Sequence, residues 1–220
     1  MSDFNPSYTG GRDDILNLVP SNAAKILDIG CSTGTLGGQI KEQIRSAEVT
    51  GIELDKQMAR VAESKLDRVI IGDINKFSFK DYFTPNYFDC IILADILEHL
   101  NDPWTLLAEV KKYLIFGGLI IASIPNVRHY STIVSLLFKG YWPYRDRGIH
   151  DRTHLRFFTL KNIKEMFQRE GLLIEKFERN YRLIEKPHKY NTLSRYFAFP
   201  LFRDFLTFQY IITARKERNN

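Results

Sequence analysis

Along the first 125 residues, short apolar runs alternate with stretches whose apolar positions recur at helical spacing. The run carrying Ile26, Leu27 and Ile29 reads as a buried strand, and after a glycine-bearing turn a helix follows over 36–44. Residues 48–53 form the second predicted strand, 56–66 a helix by the spacing of Met58, Val61, Ala62 and Leu66, and 69–71 the third strand. The fourth, 87–94, is apolar on both faces, as a central parallel strand must be. Asn101, Asp102 and Pro103 open a helix running to about Tyr113, which Gly117 and Gly118 separate from a fifth strand over 119–124. A short helix over 8–19, carrying Ile15, Leu16, Leu18 and Val19, is expected to cover the sheet edge. Such alternation predicts an α/β fold with a parallel, doubly wound sheet whose ligands bind at the carboxyl ends of the strands.

The pattern changes after Pro125. Residues 127–138 have helical spacing, and the stretch to Phe158 is dense in aromatics, histidine and arginine. A further helix (160–169), a strand (171–177) and an alternating aromatic strand (205–214) complete the chain. The connection over 187–204 holds Pro187, Pro200 and a segment, 196–202, too apolar to lie in water alone. Packing on the 125–158 insertion, a homodimer face and peripheral contact with a bilayer are the three expectations for it.

A length of 220 residues with 44% hydrophobic composition fits one domain over 1–220. Cys31 and Cys90 have no spacing motif, which suggests reduced thiols in a cytoplasmic protein. No apolar run reaches the roughly 18–20 residues of a membrane span, and the first residues lack a signal-peptide pattern. The net charge of +5 is spread along the chain and forms no nucleic-acid-binding signature, so an anionic or nucleotide-linked small molecule is the expected partner and nucleic acid is not.

The candidate chemistry starts at the end of the first strand. Asp28, Gly30 and Gly34 match neither G-x-G-x-x-G nor the P-loop pattern, because position 32 is Ser and no Lys follows Gly34. A carboxylate there would repel a pyrophosphate and suits a cationic or hydroxyl-rich ligand. Glu53 ends the second strand, where an acid can accept two hydrogen bonds from a ribose diol; Asp55 reads better as the opening of a helix. Asp73 and Asp95 follow the third and fourth strands, so five acidic or glycine signals converge on one sheet edge.

The stretch from Asp28 to Gly34 resembles motif I of the class I S-adenosylmethionine-dependent methyltransferases, (D/E)-x-G-x-G-x-G, with Ser32 in place of the middle glycine. The resemblance implies a Rossmann-like seven-stranded, mostly parallel sheet of order 3-2-1-4-5-7-6, its last strand antiparallel, flanked by helices and carrying a lid over 125–158 above the donor pocket. It implies S-adenosylmethionine as cofactor, held by Asp28, Gly30, Cys31, Gly34, Glu53, Leu54, Asp73, Ile74, Ala94 and Asp95. Asp73 is matched to the adenine amino group and Ile74 to the ring.

The segment "LEHL", Leu97 to Leu100, is of a kind that often faces the transferred methyl group in the small-molecule members. Glu98 and His99 are adjacent, so one of them is expected to point inward. His99 is favoured, because an imidazole takes a proton from a hydroxyl at neutral pH. His150 and His154 in the insertion are further catalytic candidates. They stand four apart, but Gly148 and Thr153 argue against the helix a metal pair would need, and no metal is expected. "SIPNVRHYSTI" and "HDRTHLRFFT" resemble a bacterial subgroup associated with surface-polysaccharide and glycan biosynthesis, implying a sugar or glycan-precursor hydroxyl as acceptor. Methylation of a lipid or quinone precursor or of an amino group, and a binding protein without chemistry, are the alternatives. A dehydrogenase is disfavoured by the missing dinucleotide fingerprint.

Overall fold

The computed structural model describes residues 10–184, 188–194, 199–200 and 202–218. The elements run α1 (Asp13–Leu16), β1 (Lys25–Ile29), α2 (Thr35–Gln43), β2 (Glu48–Glu53), α3 (Lys56–Ala62), β3 (Arg68–Ile71), β4 (Phe88–Ala94), α4 (Pro103–Tyr113), β5 (Leu114–Pro125), α5 (Tyr130–Lys139), α6 (Leu160–Arg169), β6 (Leu172–Tyr181), α7 (Arg203–Leu206) and β7 (Thr207–Lys216). They build one seven-stranded sheet of order β3-β2-β1-β4-β5-β7-β6. β1 to β5 pair in parallel, and β7 runs antiparallel between β5 and β6, as expected.

Parallel strands bury both faces, so β1, β2 and β4 are buried almost throughout and the core lies in two layers. One layer packs α4 and α6 through Leu106, Leu107, Val110, Ile163, Met166 and Phe167. The other packs α1, α2 and the end of α3 through Ile15, Leu16, Leu36, Ile40 and Ala62. Helix ends follow the local chemistry. Asp55 caps α3 by accepting from the amides of Gln57 and Met58, Asp102 caps α4 ahead of Pro103, and Thr159 with Asn162 makes a capping box on α6.

Some boundaries differ from the sequence expectation. Gly117 and Gly118 do not separate α4 from β5. The strand begins at Leu114, directly after the helix, and Gly117, at φ +83°, sits where the pairing with β4 slips between Phe88 and Cys90. β6 runs on to Tyr181 because β7 pairs with it along its whole length. The first helix is a single turn, Asp13–Leu16. Tyr8, Pro187, most of 196–202 and the ends of the chain lie outside the described residues.

The 126–159 segment is anchored to the sheet edge by Asn126. Its carboxamide nitrogen donates to the carbonyls of Asp204 and Thr207, while its backbone bridges to Phe158. Within it, α5 turns Leu137 and Phe138 outward, 71% and 77% exposed. Among the described residues, no helix is long and apolar enough to cross a membrane.

Candidate functional site

A cavity of about 450 Å³ opens at the carboxyl ends of β1, β2 and β4. Asp28, Gly30, Cys31, Glu53, Leu54, Asp73, Ile74, Ala94 and Asp95 all line it. Gly34 does not line it; it caps α2 at φ +69°, where a Cβ would stand 3.0 Å from Ala62.

The floor is the turn after β1. The amides of Gly30 and Cys31 donate to the carbonyl of Ile52, which locks β1 to β2 as the chain leaves the sheet. Gly30 is at φ +77°, and a Cβ there would come within 3.0 Å of Ile96 Cδ1, so the position suits glycine for both conformation and space. Ser32 also has positive φ, +50°, the left-handed conformation that the middle glycine of the motif would adopt without strain. Its amide donates to Glu53 Oε2 at 2.8 Å, and the amide of Asp55 donates to Glu53 Oε1 at 2.8 Å. Glu53 is thereby held rigidly, one lone pair on each oxygen still directed outward. Asp73 serves twice, lining the cavity and accepting from the amide of Asn75.

Asp28 is buried, and burial together with the neighbouring Glu53 raises its pKa to about 7. The same burial, with Asp28 and Glu53 nearby, raises the Cys31 thiol far above its usual range, so Cys31 is a wall and not a nucleophile. Asp95 is heavily engaged. It pairs with Arg12, accepts from Gln209 and Ser123, and sits at φ +52°. Arg12 is part of the cavity wall.

At the opposite end of the cavity, His99 and Thr153 meet. A 3₁₀ turn, Leu97–His99, puts Glu98 in the interior, off the cavity lining, and His99 at the wall. The carbonyl of Glu98 accepts from the amides of Leu155 and Arg156, which draws the 153–156 loop onto this turn. His154 consequently packs edge-on to His99, ring centres 4.6 Å apart, with its Nε2 3.9 Å from Glu98 Oε1. Burial, and secondly the nearby Asp95, raises the Glu98 carboxyl far above its normal value. Burial lowers both imidazoles, His154 to about 4 with His99 as its second cause, so both rings are neutral.

His150 is elsewhere. It is wholly buried, bonds Thr132 Oγ1 at 3.1 Å, stacks edge-on against Trp142 and takes no part in lining the cavity. Sequence reasoning missed Met58 and Thr153, which distant elements bring to the cavity, and weighed Glu98 in the "LEHL" segment only as the alternative to His99.

Residues 27–122 match a family model described as a methyltransferase domain. The ubiquinone biosynthesis O-methyltransferase of Aeromonas salmonicida is 27% identical over 154 residues, 68% of this chain and 63% of that protein, so this chain spans just under two thirds of it. A demethylmenaquinone methyltransferase of Thermotoga maritima is 27% identical over 68% of this chain and 70% of its own length. A SAM-dependent methyltransferase from Archaeoglobus fulgidus superposes with a TM-score of 0.67 at 17% identity, over 96% of this chain and 97% of that one. The matched residues thus have the character of a methyltransferase domain, and the sheet order with its antiparallel β7 gives the chain the fold of the S-adenosylmethionine-dependent methyltransferase it superposes on.

Proposed function

We propose that this protein transfers a methyl group from S-adenosylmethionine to a hydroxyl oxygen of a small-molecule acceptor of the quinone-precursor class. The observation that carries the reading is the pairing, in one cavity, of a buried carboxylate over a glycine floor with the His99 imidazole, itself backed by His154, at the other end. Relatives named as O-methyltransferases of ubiquinone biosynthesis support oxygen as the acceptor atom and a quinone precursor as its class.

In this reading Asp28 offsets the positive charge of the cofactor, and Gly30, Cys31 and Ser32 shape the floor without filling it. Glu53 takes the ribose hydroxyls on its outward lone pairs. Asp73 and Ile74 take the adenine, and Leu54, Ala94 and Asp95 close the walls. Gly34 acts indirectly, by setting the start of α2. Bound S-adenosylmethionine supplies an electrophilic methyl carbon on a sulfonium. The chain holds the acceptor hydroxyl in line with that carbon, and the His99 end receives the hydroxyl. The 125–158 insertion is the lid on that end through Thr153 and His154, and His150 holds the lid together and does not act in catalysis.

A sugar or glycan hydroxyl is the second reading. It rests on the two segments in and beside the insertion, and the names of the relatives lend it no support. Purified protein incubated with S-adenosylmethionine and either a hydroxylated quinone precursor or a set of nucleotide sugars separates the two. Release of S-adenosylhomocysteine and an O-methylated product with the quinone precursor is the expected outcome; turnover with a nucleotide sugar alone reverses the order, and methylation at nitrogen ends both.

A further inference from the structure

We infer that Glu98, His99 and His154 form a binding site for one divalent transition-metal ion at the acceptor end of the cavity. The three side chains each offer a ligand atom within 4.8 Å of the others. Donor atoms around a tetrahedral ion with bonds of about 2.1 Å stand about 3.4 Å apart, so a small inward rotation of the three side chains completes the site.

The orientation of each group is what points to a cation. Glu98 is 1% exposed, and among the described residues neither carboxylate oxygen has a hydrogen-bond partner. A carboxyl group buried in that way is costly, whether ionised or protonated, unless something electropositive meets it. His154 at 3.9 Å is too far for a hydrogen bond.

The two histidines are tautomerically set by their outer partners. The hydroxyl of Thr153 donates to Asp151 Oδ1 at 2.7 Å and must therefore accept from His99 Nδ1 at 3.1 Å. His154 Nδ1 lies 3.2 Å from the carbonyl of Ile149, which can only accept. Each ring thus carries its proton on Nδ1 and presents the lone pair of Nε2. Imidazoles that ligate metals have this arrangement, the far nitrogen donating to a carbonyl or a carboxylate-backed hydroxyl. Two imidazoles and one carboxylate make a three-ligand set of the kind catalytic zinc sites use, with further positions left for water or substrate.

His99 lines the cavity, so those positions face the acceptor. This part rests on the O-methylation proposed above. The acceptor hydroxyl oxygen binds the ion, which lowers its pKa so that its proton leaves to solvent. The oxygen then forms the new bond to the methyl carbon while the carbon–sulfur bond breaks and its electron pair stays on sulfur as a neutral thioether. His99 in this arrangement holds the ion and does not take the proton.

The test is calorimetric titration of the full chain, free of affinity tags and stripped with chelator, with Zn²⁺ and with Co²⁺, followed for Co²⁺ by its visible absorption. One ion per chain is expected without cofactor or acceptor. His154→Ala and the near-isosteric Glu98→Gln should weaken binding by roughly a hundredfold or more, with S-adenosylhomocysteine affinity kept as the check on folding. Absence of stoichiometric uptake, or uptake equally tight in both variants, overturns the site. Metal binding without methyl transfer to any acceptor leaves the site standing and ends the functional reading. Methyl transfer at full rate in the stripped protein ends the assigned role in activating the acceptor.

Discussion

The two ends of the cavity are built in opposite ways. At the cofactor end, Asp28 stands near the end of β1, Gly30 and Ser32 form the turn after it, and Glu53 reaches them from the adjacent strand, so the geometry follows from near-consecutive residues and one parallel pairing. At the other end, Glu98 and His99 meet His154 from 55 residues further on, only because two amides of the 153–156 loop bond the Glu98 carbonyl. The first end is therefore intrinsic to the strand-turn-helix unit, while the second depends on where a long insertion docks. Binding of the cofactor and handling of the acceptor should accordingly fail independently.

The largest separation is expected from His154→Ala. Turnover should fall by about 10²–10⁴-fold, because the acceptor hydroxyl loses the arrangement that activates it, while the dissociation constant for S-adenosylhomocysteine stays within about twofold. Steady-state kinetics with calorimetry measures both, and a parallel loss of cofactor affinity would show that the two ends are coupled. Gly30→Val makes the reverse test. A β-branched residue at φ +77°, with a Cβ 3.0 Å from Ile96, should weaken cofactor binding by roughly 30–200-fold, corresponding to about 2–3 kcal/mol of backbone strain and crowding.

A smaller effect sharpens the role of Asp28. Its pKa is raised to about 7, so the carboxyl is mostly neutral at pH 6 and mostly ionised at pH 8. A cationic ligand selects the ionised form, and S-adenosylmethionine affinity should therefore fall about tenfold from pH 8 to pH 6. Asp28→Asn should bind weakly with no such slope. For the ligand-free protein the sign is opposite. A carboxyl whose folded value lies above its unfolded value contributes stability that is full below about 3.8 and is lost as the pH rises through about 7. Denaturant titrations across that range read it directly. The smallest effect is structural: Asp55→Ala removes the two amide bonds that cap α3 and should cost about 1 kcal/mol, with cofactor affinity little changed because Asp55 does not line the cavity.

The cofactor edge was legible because the signals there are short-range. The strand apolarity of 87–94, the glycines at 30 and 34, and acids at strand ends are all visible within windows of a few residues. β5 was misread where Gly117 looked like a break, since a glycine in a bulge and a glycine between elements have the same sequence appearance. His99 was favoured from its place after β4, while the two histidines of the insertion were linked by spacing alone. That favoured His150 beside His154, whereas α5 and Trp142 enclose His150 and leave His154 to meet His99.

The pattern of apolar runs and turns by itself determined the order of strands and helices, the edge at which a ligand sits, and the carboxylate-and-glycine niche suited to a cation, because those properties reside in residues that are neighbours in the chain. Only the tertiary structure decided that the Glu98 carboxylate is buried with no hydrogen-bond partner among the described residues, that Arg12 locks onto Asp95, and that three side chains from two distant segments face one point. The burial of Glu98 and its meeting with His154 depend on the docking of the insertion against the sheet edge through Asn126 and the Glu98 carbonyl, long-range bonds whose partners no local pattern can name.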